Sequence, residues 1–278
     1  MPNPISDPLV ENVIVDDLSS VMLEATPEGV AVITLNRPEK RNAFDSTMIE
    51  GLTEAFETLQ GADHVRVVFI RGAGGTFCAG ADLEWMALAA EMTEDDNRSD
   101  AMTVATMFKS LADLPAVTVA LVEGAALGGG AGLVAACDLA VAVDGARFAF
   151  SEVKLGLIPA MIAPYVVEAV GPRTARGLFV TARSFDAAYA ERIGLVSEVA
   201  ADAAGLAAAQ ERITAEVMAA APGAVTDAKA LARDVFGQPI EHALMVETAR
   251  RLARRRVSDE GREGVAAFIA RRKPSWTD

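Results

Sequence analysis

The stretch GAALGGGAGLVAACDLAVA, Gly124 to Ala142, restricts what this chain can fold into more than any other feature. It follows the β-rich run Val117–Val122 and places Gly128, Gly129, Gly130 and Gly132 where a helix should begin. A glycine inside a helix costs roughly 1 kcal/mol against alanine, so this cluster demands a reason. Two reasons are open on the residues alone. Without a Cβ, helix and strand can pack closely. Alternatively, the unpaired N–H groups of a helix's first turn can face a ligand, where the helix dipole favours negative charge. The phosphate-loop pattern GxxxxGK[ST] is absent, as is GxGxxG with its later acidic residue.

A second turn of the same kind, FIRGAGGTFCAGADLEWM, runs from the strand-like Val65–Arg71 through glycines into a helix at Ala79-Gly80-Ala81-Asp82-Leu83. Two strand–turn–helix junctions, each aiming a backbone N–H, are what an oxyanion hole requires. Each donor about 3 Å from the developing oxyanion can contribute roughly 3–4 kcal/mol. Proton transfer needs a further group, and FAFSEVKLGLIPA supplies Glu152 among Phe148, Phe150, Val153, Leu155 and Leu157. A carboxylate buried among such neighbours has a raised pKa, which suits acid–base work. Histidine offers little. His64 and His242 lie far apart, with no ligand spacing to each other or to Cys78 and Cys137, so neither a metal site nor a Ser-His-Asp arrangement is expected. The two cysteines sit in apolar, small-residue settings and read as free buried thiols of a reducing cytoplasm.

From Val21 to about Val199, strand-like and helical runs alternate, which predicts an α/β core. VMLEA and VAVITL flank TPEG as a hairpin, and VRVVFIRG, AVTVALVEG, LAVAV and RFAF read as further strands. Ser46–Leu59 and Ala101–Leu111 have helical spacing. In the first, Ile49, Leu52, Phe56 and Leu59 share a face, and Thr47 and Glu50 stand at capping-box spacing. After Ala201 only helical patterns remain. There Leu244, Val246, Ala249, Leu252 and Ala253 form an apolar stripe, opposite a solvated or subunit-facing side crowded by Arg250, Arg251, Arg254, Arg255 and Arg256. The opening MPNPISDPLVENVIVDD lacks the parts of a signal peptide and reads as an unstructured lead-in. Charges and glycines break every apolar window before the ~18 residues of a membrane span. A net charge of −14 opposes binding to nucleic acid and to anionic membranes.

LNRPEKRNAF, FCAGADL, GAALGGGAGLVAACDLAVA and FSEVKLGLIPA occur in the order and spacing of the enoyl-CoA hydratase/isomerase family, the crotonases. The chain resembles that family from about Val21 to the tail EGVAAFIARRKPSW. Within it, FCAGADLEWM, SEVKLGLIPAMIAPYVVEAVG, ETARRLARRRVSDEGREGVAAF and PSW resemble bacterial 3-methylglutaconyl-CoA hydratases. The resemblance implies a crotonase-like spiral of ββα units in an α/β fold, followed by helices used in self-association as a trimer or dimer of trimers. The expected division is an N-terminal extension over 1–18, the spiral core over 19–203 and a helical oligomerisation region over 204–278. No cofactor is implied beyond the coenzyme A that the substrate carries.

It further implies that the backbone N–H groups of Ala81 and Gly129 hold the thioester carbonyl, whose oxygen would collide with any side chain at Gly129. Glu152 would move the proton. The arms of coenzyme A would lie along Ala79, Gly80, Asp82 and Leu83 and the Arg37-Lys40-Arg41 segment, with Gly128 and Gly132 also binding the CoA thioester. Lys273 would reach the phosphates of its own or a neighbouring subunit. One departure stands out: many hydratases of the family carry the first of two glutamates where this chain has Gly132. With Glu152 alone, the expected reaction is hydration of a short, branched 2-enoyl-CoA. A Δ3–Δ2 enoyl-CoA isomerase is the alternative, and a non-catalytic acyl-CoA- or RNA-binding member is an alternative of another class.

Overall fold

The computed structural model describes residues 14–17 and 20–277. Its strands, in chain order, are β1 (Ile14–Asp17), β2 (Val21–Ala25), β3 (Val30–Leu35), β4 (Val67–Gly72), β5 (Val117–Val122), β6 (Ala125–Leu127), β7 (Leu139–Val143), β8 (Arg147–Ala149), β9 (Phe185–Asp186) and β10 (Glu198–Ala200). The larger sheet has the order β1-β2-β3-β4-β5-β7-β10. From β3 onward its neighbours run parallel, while β1, β2 and β3 form antiparallel pairs. Runs such as Val67–Ile70 are buried throughout, as strands covered on both faces require.

The helices are α1 (Ser46–Gln60), α2 (Leu83–Glu91), α3 (Glu94–Asp113), α4 (Gly129–Ala136), α5 (Ala163–Val170), α6 (Pro172–Thr181), α7 (Ala187–Arg192), α8 (Ala203–Ala219), α9 (Pro222–Val235), α10 (His242–Val257) and α11 (Asp259–Ala270). Side-chain alternation along the strands divides the core in two. Val68, Ile70, Ala120 and Ala142 meet α1 and α3 on one face, through residues such as Leu52, Phe56, Met107 and Phe108. On the other face, Val67, Phe69, Val119 and Val141 meet Leu206, Ala209 and Ile213 of α8.

A small second sheet, ordered β6-β8-β9, generates the repeat. β5 leads through Gly124 into β6 and then α4, and β7 leads into β8 and on towards α5. The segment after β4 joins the same small sheet by a bridge between Cys78 and Ala126 before α2 begins. This is the expected ββα succession.

Several local expectations need correction. Ile14–Asp17 pairs with β2 as an antiparallel edge strand rather than trailing as an unstructured lead-in; residues 1–13 of that lead-in lie outside the described residues. The cap of α1 is Asp45, whose side chain accepts the Met48 N–H at 2.9 Å. Thr47 lies inside the helix and donates its hydroxyl to Asp45 instead. On α10 the expected polarity holds only in part: Arg250, Arg254 and Arg256 are exposed and Leu244 is half-buried as expected, but the rest departs from it. Arg251 and Arg255 face inward to Asp234 and Asp227, while Val246, Leu252 and Val257 are exposed. Both cysteines are free, and burial pushes each thiol up to about 12.

Candidate active site

The parallel strands end in the glycine turns, so the turns gather at the carboxyl edge of the sheet, where open α/β sheets bind ligands. The Cys78 N–H donates to the Ala125 carbonyl at 2.9 Å, and the Leu127 N–H donates to the Cys78 carbonyl at 3.0 Å. The turns therefore run side by side, close enough that a Cβ on Gly80 would stand 3.0 Å from the Leu127 oxygen. Ala81 and Gly129 are the next residues of these touching turns. Gly129 opens α4, where no preceding carbonyl is in place to take its N–H. Ala81 forms an isolated bridge with Phe44. Among the described residues neither amide donates to a protein acceptor.

Glu152 opens a single 3-10 turn, Glu152–Leu155, just after β8. Its Oε2 is buried without a hydrogen-bond partner among the described residues. Burial raises its pKa from the ordinary value, and a bond from its own backbone amide opposes this only in part. Of the apolar neighbours that the sequence suggested as wrapping, Phe148 and Phe150 are buried, while Val153, Leu155 and Leu157 are exposed. The turn before α4 closes on the carboxylate. Gly128 sits at φ 49°, ψ −118°, a conformation that strains any residue with a Cβ, and its Cβ position lies 3.2 Å from Oε1 of Glu152. The structure thus brings Ala81, Gly128, Gly129 and Glu152 into one neighbourhood.

What forbids side chains on α4 differs from the expectation. A Cβ on Gly129 would meet Cε2 of Phe44 at 2.6 Å, so the protein's own ring already fills that space. A Cβ on Gly132 would stand 2.2 Å from Cγ2 of Ile162 and 3.2 Å from Cε1 of Phe108. A second glutamate at position 132 therefore has no room. Phe44, Phe108 and Ile162 went unnoticed in the sequence; each reads as ordinary core until its distant neighbour is known.

The other binding candidates divide. Ala79, Gly80, Asp82 and Leu83 border Ala81. Buried Asp82 caps α2 by accepting the Glu84 N–H, the first cause of its lowered pKa, with Lys40 and Arg37 adding to it. Arg37 is committed internally: its guanidinium donates to the Ala43 carbonyl at 2.8 Å and pairs with Asp45 and Asp82 at 2.9 and 3.3 Å. It ties the loop together rather than offering a free charge. Lys40 pairs with Glu84 at 3.0 Å on the surface. Arg41 is exposed and its carbonyl accepts the Ala79 N–H. Buried Asn42, also overlooked, donates to the carbonyls of Ala73 and Thr76 and so pins this loop to the first glycine turn.

Lys273 is not brought to the others. Its tail docks through Trp276 on the Ala219 carbonyl at the end of α8, whose Val217 carbonyl accepts from Arg66, just before β4. That is the amino edge of the strands and the face away from Glu152. A cavity of about 530 Å³ lies near the far end of α4, lined in part by Lys109, Asp113, Asp138, Lys229 and Arg233. It contains none of the candidate residues, and these charges neutralise one another through Lys229–Asp138, Arg233–Asp113 and Lys109–Asp113 pairs.

Comparison with known proteins shows the family and the fold. A family model described as enoyl-CoA hydratase/isomerase matches residues 25–278. The Mycobacterium tuberculosis protein named "Probable enoyl-CoA hydratase echA8" is 37% identical over 256 residues, 90% of this chain and 95% of its own. The Mus musculus protein named "Methylglutaconyl-CoA hydratase, mitochondrial" is 30% identical over 273 residues, 94% of this chain and 83% of its own. The crystal structure of an enoyl-CoA hydratase from Shewanella pealeana superposes with a TM-score of 0.89 at 37% identity, covering 93% of this chain and 96% of that one.

Proposed function

We propose that this chain, which belongs to the enoyl-CoA hydratase/isomerase family, adds water reversibly to a short, branched 2-enoyl-CoA, with 3-methylglutaconyl-CoA the first substrate to test. The observation that carries the reading is the carboxylate of Glu152, with Oε2 buried and unpartnered among the described residues, beside two touching turns that each leave an amide free. In this reaction the thioester oxygen takes the N–H groups of Ala81 and Gly129 as negative charge develops on it. Glu152 accepts one proton from water while the water oxygen bonds to C3. The enolate then takes that proton back from Glu152 at C2, which restores the carboxylate. Each amide supplies about 3–4 kcal/mol of barrier reduction, and the positioned base about 10²–10⁴-fold in rate.

Similarity to the mouse methylglutaconyl-CoA hydratase supports a branched acyl group. Exposed Leu83 on α2 and Leu155, Leu157 and Ile158 after Glu152 offer apolar surface for an acyl-CoA to cover. Coenzyme A enters as part of the substrate. Self-association as a trimer or dimer of trimers is supported by the uncovered Val246, Leu252, Val257, Phe268 and Ile269 of α10 and α11, and it is the route by which Lys273 reaches a neighbour's coenzyme A.

A second reading, Δ3–Δ2 isomerisation, is favoured by one observation: Ile162 closes the place of a second carboxylate, and moving a proton between carbons needs only one. Turnover of a small acyl-CoA panel separates the two. Loss of the conjugated enoyl thioester absorbance with 3-methylglutaconyl-CoA or crotonyl-CoA marks hydration. Conversion of a 3-enoyl-CoA without hydration marks the isomerase, and inertness towards the whole panel rejects both.

A further inference from the structure

We propose that Phe44 is the positioning residue that sets the two amide donors against each other, an inference that rests on the enolate-holding reading above. Its backbone acts on one donor. The Phe44 N–H donates to the Gly80 carbonyl at 2.7 Å, and the Phe44 carbonyl accepts the Asp82 N–H at 2.7 Å. The Gly80 carbonyl and the Ala81 N–H belong to one planar, trans peptide unit, so they point in opposite directions. Holding the oxygen against Phe44 therefore turns the Ala81 N–H away from the backbone of Phe44 and locks its direction.

The ring acts on the other donor. Its Cε2 and Cδ2 atoms lie 2.6 and 2.7 Å from where a Cβ of Gly129 would be, so the ring edge rests directly on the first residue of α4. Phe108 supports it from behind, edge-on with centroids 6.4 Å apart. Phe44 itself is buried, so it acts through Ala81 and Gly129 and not by meeting the substrate from solvent. These two actions are separable. Any residue other than proline at position 44 can make the backbone bonds, but only a side chain of this size fixes where α4 begins relative to Ala81. Gly129 has no side chain with which to fix its own position, and a misplacement of about 1 Å at a reacting centre can cost about 100-fold in rate.

The test is a set of variants read by steady-state kinetics on the best acyl-CoA of the panel, with thermal melting to count folded enzyme. Phe44→Leu keeps the backbone bonds and most of the volume. It should lower kcat by about 10-fold or more with KM little changed, because ground-state acyl-CoA contacts are untouched while donor alignment is lost. Gly129→Ala should be severely impaired in the native background, where its methyl meets the ring. Combined with Phe44→Ala, which empties that space, it should melt higher than Gly129→Ala alone while kcat stays low, because the clash is relieved but no ring sets the donor. A residue that serves only stability would shift melting and leave kcat per folded molecule intact. Native kcat in Phe44→Leu or in the double variant overturns the inference while acyl-CoA turnover by the native protein keeps the functional reading. If the native protein turns over no acyl-CoA, both fall.

Discussion

Gly128 faces Glu152 across the site: a Cβ on the glycine would stand 3.2 Å from Oε1 of the glutamate. Backbone conformation and carboxylate position are therefore coupled. Gly128→Ala must place a Cβ at φ 49°, ψ −118° and also crowd the carboxylate. The expected result is a loss of about 1–3 kcal/mol of stability from backbone strain, together with reduced turnover. Urea unfolding and kcat on the same preparation check it, and an unchanged midpoint would contradict the strain.

Glu152→Gln keeps shape and removes the base, so kcat should fall by about 10²–10⁴-fold with acyl-CoA binding little changed. The same variant has a thermodynamic signature. Burial raises the pKa of Glu152 above its ordinary 4.5, so the folded state binds this proton more tightly than the unfolded state does. Ionisation then costs folding free energy, lost progressively as pH rises from the ordinary value through the raised one. Glu152→Gln should therefore melt higher than the native protein at pH 7, with the gap closing as pH drops below 4.5. Native activity should fall as pH drops through the raised value, since protonation removes the base. A glutamine variant with native turnover would assign the proton to another residue.

At Gly132, installing the absent glutamate should fail on packing before it succeeds in chemistry. Gly132→Glu alone drives its Cβ to 2.2 Å from Cγ2 of Ile162, which overpacking places at about 1–3 kcal/mol or more. Pairing it with Ile162→Gly should return part of that stability and raise hydration relative to isomerisation. Melting temperatures and the product ratio from a 2-enoyl- and a 3-enoyl-CoA decide this. Equal melting of the single and double variants would mean that Ile162 is not the obstacle.

Lys273 lies away from Glu152 in its own chain, and its proposed contact with coenzyme A is one made through assembly. Lys273→Ala should raise KM for CoA thioesters at low salt, leave kcat unchanged, and lose this effect as salt screens the charge. A KM that matches the native protein at every ionic strength would remove Lys273 from the binding path.

Much of the framework was legible in the amino-acid sequence because it depends on local periodicity. The TPEG hairpin, the apolar runs of β4, β5 and β7, the helical face of α1 and the two glycine turns could all be read in short windows. β1, β6, β9 and β10 could not, since strands this short gain their identity from the partner they pair with, although β8, equally short, is legible in RFAF. Asp45 displaced Thr47 as the cap of α1 because capping is decided by backbone geometry at the helix entrance, where both residue types are competent.

For the site, the sequence by itself determined which residues lack a Cβ and where an acidic side chain sits among apolar neighbours. It could not say what occupies the space those glycines leave open. Tertiary structure alone decided that Phe44 rests on Gly129, that Ile162 and Phe108 fill the place beyond Gly132, and that Gly128 stands beside the carboxylate of Glu152 while Leu155 and Leu157 are exposed. The physical reason is that close packing is a property of surfaces brought together from distant parts of the chain. A missing Cβ is written in one letter, but the atom that takes its place belongs to another element, and only the folded arrangement of strands and helices chooses which one.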